Sequence, residues 1–132
     1  MTKTKQMPDL GGFNGTESYH KLAMFGGLKF TDGWAYLAEN LGCFWLADIV
    51  GSVQHLPKVQ ENRSFIVWRI VVKGNKAIVD SYWDSEGVDK EGKSIYSKEK
   101  EIYKQKIPFT DFPEGIFEFY QVNNVVMLKR EY

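Results

Sequence analysis

Ser64-Phe65-Ile66-Val67-Trp68-Arg69-Ile70-Val71-Val72-Lys73 is the stretch on which the fold turns. β-Branched and aromatic residues crowd it, as they do in strands with at least one buried face. The turn pair Gly74-Asn75 follows and leads into a second run, Ala77 to Trp83, so the two runs read as a hairpin. Downstream, Ile102 to Phe109 reads as a third strand. Phe117 to Val122 and Val125 to Leu128 flank Asn123-Asn124 as a second hairpin. Between the hairpin and the third strand, Asp84 to Lys100 alternates acids and lysines around Gly87 and Gly92, the composition of a long solvated excursion.

Upstream the period changes. Trp34, Leu37, Ala38 and Leu41 recur at i, i+3, i+4 and i+7, with Thr31 or Asp32 as the N-cap and Gly42 as the stop. A second helix is expected from Cys43 to Leu56, with Trp45, Leu46, Ile49, Val50, Val53 and Leu56 on its apolar stripe and Pro57 ending it. Thr16 is placed to cap a short helix through Lys21. The expected fold is therefore α+β, an N-terminal helix pair packed on one face of a roughly five-stranded antiparallel sheet. Residues 1–12, with Gly11-Gly12 and little to bury, read as a flexible N-terminal arm, and 13–132 as a single domain.

Charge and cysteine usage narrow the function classes. Lys+Arg 17 balances Asp+Glu 17, which removes the basic footprint of duplex-binding proteins, so nucleic acid is not the expected partner. No apolar run approaches the ~20 residues needed to cross a bilayer, and no membrane association is expected. The single cysteine, Cys43, cannot form an internal disulfide or the paired spacing of a zinc site, which points to the cytoplasm. It reads as a buried thiol between Gly42 and Phe44 rather than a nucleophile.

No catalytic assembly is legible. Asp48, Ser52 and His55 are the residue types of a triad, but at i, i+4 and i+7 they line up along a helix axis, whereas a nucleophile and its base must converge. His20 and His55 stand apart with no metal-ligand spacing, and neither GxxxxGK[ST], GxGxxG nor GxSxG occurs. No metal and no cofactor is expected. Thr110-Asp111-Phe112-Pro113 reads as a side-chain-capped turn at a strand end.

Aromatic content reaches further. Trp 4, Tyr 7 and Phe 9 exceed what a core of this size takes up, so some must lie at the surface, where aromatic side chains favour protein contact. Phe44, Asp48, Ser52 and His55 on the second helix, with Tyr36 beside them, are the candidate binding residues.

Several ordered blocks carry a resemblance: Phe13-x-Gly15-Thr16-Glu17, Thr31-Asp32-Gly33-x-x-Tyr36-Leu37-Ala38-Glu39, Trp45-Leu46-x-Asp48-Ile49 and Ser52-x-Gln54, then Phe65-x-Val67-Trp68, Phe109-Thr110-Asp111-Phe112-Pro113, Asn124-Val125 and Glu131-Tyr132. Together they resemble a family of small bacterial, plasmid- and phage-borne proteins classed only as a domain of unknown function. The resemblance implies no catalytic residue. The reading is a small cytoplasmic protein-binding or inhibitory module without catalysis, with homo-oligomerisation left open. The alternative is a small-ligand-binding protein or minor enzyme using a cleft between helices and sheet.

Overall fold

In a computed structural model describing residues 5–132, the chain runs through β1 (Tyr19–His20), β2 (Lys29–Thr31), α1 (Asp32–Leu41), α2 (Phe44–Ser52), α3 (Pro57–Glu61), β3 (Ile66–Lys73), β4 (Lys76–Tyr82), β5 (Gly87–Val88), β6 (Ser94–Ile95), β7 (Glu101–Ile107), β8 (Gly115–Val122) and β9 (Val125–Leu128). The first four residues of the expected arm lie outside the described residues. Both predicted hairpins form. Gly74 and Asn75 each take φ near +60°, the two-residue turn whose twist suits the flanking strands, and β3 pairs antiparallel with β4 from Val67↔Tyr82 to Lys73↔Lys76. β8 and β9 close around Asn123-Asn124.

The sheet itself differs from expectation. It has seven strands in the order β1-β2-β9-β8-β3-β4-β7, with β5-β6 as a separate two-stranded ribbon. It is mixed rather than antiparallel, because β2 runs parallel to β9 through Lys29↔Val125 and Phe30↔Val126. Nor do the helices form an N-terminal pair, since β1 and β2 precede them and α3 follows α2. The cause is physical: β1 and β2 have two and three residues, too few to display a period-two pattern, and β2 ends at Thr31, the residue that caps α1. With β2 parallel to β9, and β9 and β8 each antiparallel to the next strand, β2 and β3 point the same way. The α1–α3 segment is therefore the crossover that parallel strands require, and it covers one face of the sheet.

That face holds the core. Alternate residues of β3, namely Ile66, Trp68, Ile70 and Val72, are buried, and Phe119 of β8 stacks on Trp68 at 6.4 Å between ring centroids. From α1, Trp34 reaches down to Phe119 at 5.4 Å and Phe30 of β2 at 4.9 Å. Each such fully buried large side chain contributes about 2–3 kcal/mol by burial alone.

Three local expectations also change. α2 stops at Ser52 instead of Leu56, and Pro57 opens α3 at its first position instead of closing α2, since a proline lacks only the N–H that a helix start leaves unpaired anyway. The short helix expected over Thr16 to Lys21 is instead a loop running into β1. The Asp84–Lys100 excursion folds back on the sheet's other face, where Tyr96 stacks on Tyr82 at 4.6 Å and Arg69 lies 5.3 and 5.0 Å from their ring centroids. Two strong ties fasten the described part of the arm: Lys5 donates its backbone N–H to Asp111 O at 2.6 Å and its Nζ to Leu41 O at 2.6 Å.

Candidate functional site

The candidate binding residues divide by what holds them. Phe44, Asp48 and Ser52 follow one another at four-residue intervals on α2, so they share a face, and Phe44 is exposed. Asp48 is committed: its Oδ1 accepts the backbone N–H of Met24 at 3.3 Å. Ser52 is committed too, donating Oγ–H to Ile49 O at 2.8 Å, a back-bond that accompanies the end of the helix. His55 lies beyond that end, exposed, in the turn before α3. Tyr36, on α1, packs its ring against Phe13 at 5.1 Å.

What Asp48 holds is the feature the sequence reading missed. The loop from Ala23 to Gly27 crosses α2 and presents Met24, 75% exposed, and Phe25, 67% exposed. The crossing is tight: a Cβ added at Gly51 would fall 2.6 Å from Phe25 O and 2.8 Å from Ala23 Cβ, and Gly26 sits at φ 90° against Gly51 O. Only glycine permits that approach. Two large apolar side chains are thus displayed on a fixed backbone next to Asp48, one helical turn from Phe44.

Elsewhere the sequence blocks that carry the resemblance converge at the start of α1. The Asp32 carboxylate accepts from Glu17 N at 2.9 Å and Ser18 Oγ at 2.7 Å, and it lies 2.8 Å from His20 Nε2. The pairing with His20 foremost, then the bond from Glu17, holds this carboxyl far below its ordinary range. On the other side, Glu131 accepts from Thr31 Oγ1 at 2.6 Å, Leu128 N at 2.9 Å and Gly33 N at 3.2 Å. A Cβ at Gly33 would meet Leu128 Cδ1 at 2.6 Å, which explains Thr31-Asp32-Gly33 as a unit. Although Ser, His and Asp meet here, the carboxylate sits between the other two, so Ser18 bonds Asp32 and not a base. The arrangement is a clasp joining the two ends of the chain to α1, with acceptors placed where a helix N-terminus leaves N–H groups free.

Gln54, from the Ser52-x-Gln54 block, turns inward and exchanges amide bonds with Gln121 at 3.0 and 2.8 Å, while Gln121 Oε1 also accepts from Trp68 Nε1 at 3.0 Å. This buried network ties α2 to β8 and β3. Asp80 holds Arg69 by two bonds of 3.0 and 2.8 Å, and Tyr82 donates to Asp80 Oδ2 at 2.8 Å. The Asp80 bond raises Arg69 above its usual range, and burial followed by the Asp80 bond raises the Tyr82 hydroxyl. Cys43 is 1% exposed, and burial pushes its thiol up to about 12. The Thr110 turn forms as read, with Oγ1 accepting Phe112 N at 3.1 Å and Phe112 packed inward. Among the described residues no three His, Cys, Asp or Glu side chains gather in a metal-holding group. No helix among them is long and apolar enough to cross a membrane.

A groove of about 740 Å³ lies beside β8, lined by Leu10, Phe117, Leu128, Lys93, Lys129 and Arg130 among others, and a second hollow of about 420 Å³ lies between Trp45 of α2 and Ile107, Phe109, Thr110 and Asp111 at the end of β7.

The fold is that of a small mixed-sheet protein with a helical crossover and a clasp joining its two ends. A family model described as a family of unknown function, DUF6876, matches residues 4–132, and the chain belongs to that family. No curated protein and no solved structure matches the chain.

Proposed function

We propose that the protein is a binding module that contacts a partner protein through the Met24-Phe25 knuckle, the adjoining α2 face of Phe44 and Asp48, and His55 in the turn that follows α2. The observation that carries this is the knuckle itself. A flexible loop exposes apolar side chains at little cost, but this one is held by the Asp48 bond and by glycine-on-backbone packing that leaves no room for a Cβ. Exposed, pre-organised aromatic and methionine side chains are what interface anchors are made of, because little conformational freedom remains to be lost on docking. Asp48 and His55 supply the polar rim. The expected setting, a cytoplasmic module carried by a mobile element and acting by contact or inhibition, is part of this proposal. It is supported by the ordered sequence blocks and by the lone, buried cysteine.

The test is site-specific photo-crosslinking in the cells that make the protein, with a photoreactive phenylalanine analogue at Phe25 and, separately, at Val88, which is exposed on the charged ribbon. A discrete adduct to one other protein from position 25 and none from position 88 supports the reading. Equal, diffuse labelling at both sites overturns it.

A further inference from the structure

The geometry points to the open edge of β8 as a docking groove for an extended, acidic peptide segment of a partner protein, on a surface separate from the Met24-Phe25 knuckle. β8 pairs with β3 from Gly115 through Gln121, but β9 covers it only from Phe119 to Val122. Gly115 to Glu118 therefore have a strand on one side and none on the other. The neighbouring chain leaves the ladder at Leu128, drawn into the short turn Lys129–Glu131 because Glu131 accepts Leu128 N. Along an antiparallel strand the backbone groups of alternate residues point to opposite sides. The two-residue turn makes Val122 and Val125 the first exchanging pair, so by steps of two the N–H and C=O of Glu118 and Ile116 face the open side.

Other edges of the sheet are guarded or very short. β7 carries exposed Lys104 and Lys106, and β1 has two residues. β8 carries Ile116 instead, 58% exposed. The 740 Å³ groove runs along this stretch, with Leu10, Phe117 and Leu128 as apolar wall. Its charge is one-sided. Arg69, Lys93, Lys129 and Arg130 line it against one lining acid, Glu118, which accepts Lys129 Nζ at 3.0 Å, while Asp80 holds Arg69 and an exposed Glu91 lies 3.7 Å from Lys93 Nζ. Arg130 has no ion-pair partner among the described residues. In a chain of zero net charge, that local excess selects acidic side chains. An added strand satisfies the backbone groups of Ile116 and Glu118, sends one set of side chains to the apolar wall and presents the other to the cations; four residues of pairing span about 14 Å.

Panning the folded chain against a random heptapeptide display library, followed by amide NMR of the complex with the enriched peptide, tests this. Expected are sequences with two or more Asp or Glu alternating with apolar residues, cross-strand contacts to the Ile116 and Glu118 amides, and affinity that falls with salt. Ile116→Pro, which removes an outward N–H, should weaken binding at least tenfold. Arg130→Glu should weaken it at least fivefold, and it decides the matter alone if the proline variant fails to fold. The proposal is overturned by no enrichment, by enrichment without acids, or by perturbations confined to Met24-Phe25, the last of which would leave the knuckle reading standing. It is also overturned if phenyl phosphate displaces the peptide while no strand contacts to Ile116 appear, which would make the groove a small-anion site, or if the edge is instead occupied by a second copy of the chain in sedimentation.

Discussion

Asp32 concentrates four interactions in one carboxylate, and they hold its pKa well below the ordinary carboxylate range, so its contribution to stability depends on pH. A carboxyl whose folded value lies below its unfolded one stabilises the native state above the unfolded value, near 3.8, and that contribution is lost as pH falls through the folded value. Asp32→Asn should therefore be less stable than wild type near neutrality, with the gap closing in urea titrations taken from about pH 6 down to about pH 2. A gap independent of pH would contradict the clasp. Ser81 makes the opposite case. Its Oγ is buried with no partner among the described residues, between Trp68 and Tyr103 on the core face. Ser81→Ala removes an unsatisfied group and should raise stability by about 1 kcal/mol, seen as a Tm increase of about 3–4 °C. Cys43 should react slowly with a thiol reagent in the folded state and fast in denaturant; equal rates would reject its burial. The buried cysteine and the Thr110 turn were legible because each depends on its immediate neighbours. The clasp was not, because Thr31 and Glu131 bond across |i−j| = 100 and no local pattern announces such a pairing.

At the scale of elements, the helix periods and both hairpin turns could be read directly, since each is a repeat or a dipeptide with its own backbone preference. The end of α2 could not. A helical stripe continues on paper through Val53 and Leu56, but the helix stops at Ser52 and Gln54, in the turn beyond it, bonds Val50 O and Gln121 in the core. Gln121→Leu leaves Gln54 Oε1 and the Trp68 indole N–H without partners in the core, although Gln54 Nε2 keeps Val50 O, and should cost about 2–4 kcal/mol in chemical denaturation. A loss under 0.5 kcal/mol would show the network to be dispensable. The loop against α2 makes a sharper case, because Gly51 touches backbone. Gly51→Ala should destabilise the protein by about 1–3 kcal/mol and loosen the knuckle, visible as faster amide exchange at Met24 and Phe25. Unchanged exchange there would remove the argument that the loop is pre-organised.

At the scale of the molecule, the observed fold departs from the expected one in two short strands ahead of the helices, a third helix, a separate two-stranded ribbon and one parallel pair that makes the sheet mixed. Five strands and two helices were readable from their own patterns, while β2, three residues long, turns the helices from an N-terminal layer into a crossover and brings Phe30 under Trp34. The candidate surface was half legible for the same reason. Phe44, Asp48 and Ser52 share a face by helical spacing, whereas His55 lies past the helix end and the Met24-Phe25 knuckle exists only because a loop crosses α2, which tertiary packing decides. The account's central claim is that this knuckle anchors a partner. The most direct measurement is the affinity of the crosslinked partner, once purified, for the wild-type chain and for the Met24→Ser/Phe25→Ser variant, with Phe44→Ala and His55→Ala alongside. The account predicts a Kd at least tenfold weaker for the double variant and more than about 1 kcal/mol lost for each single one, with the circular dichroism spectrum unchanged. An unaltered Kd in the folded double variant would contradict it.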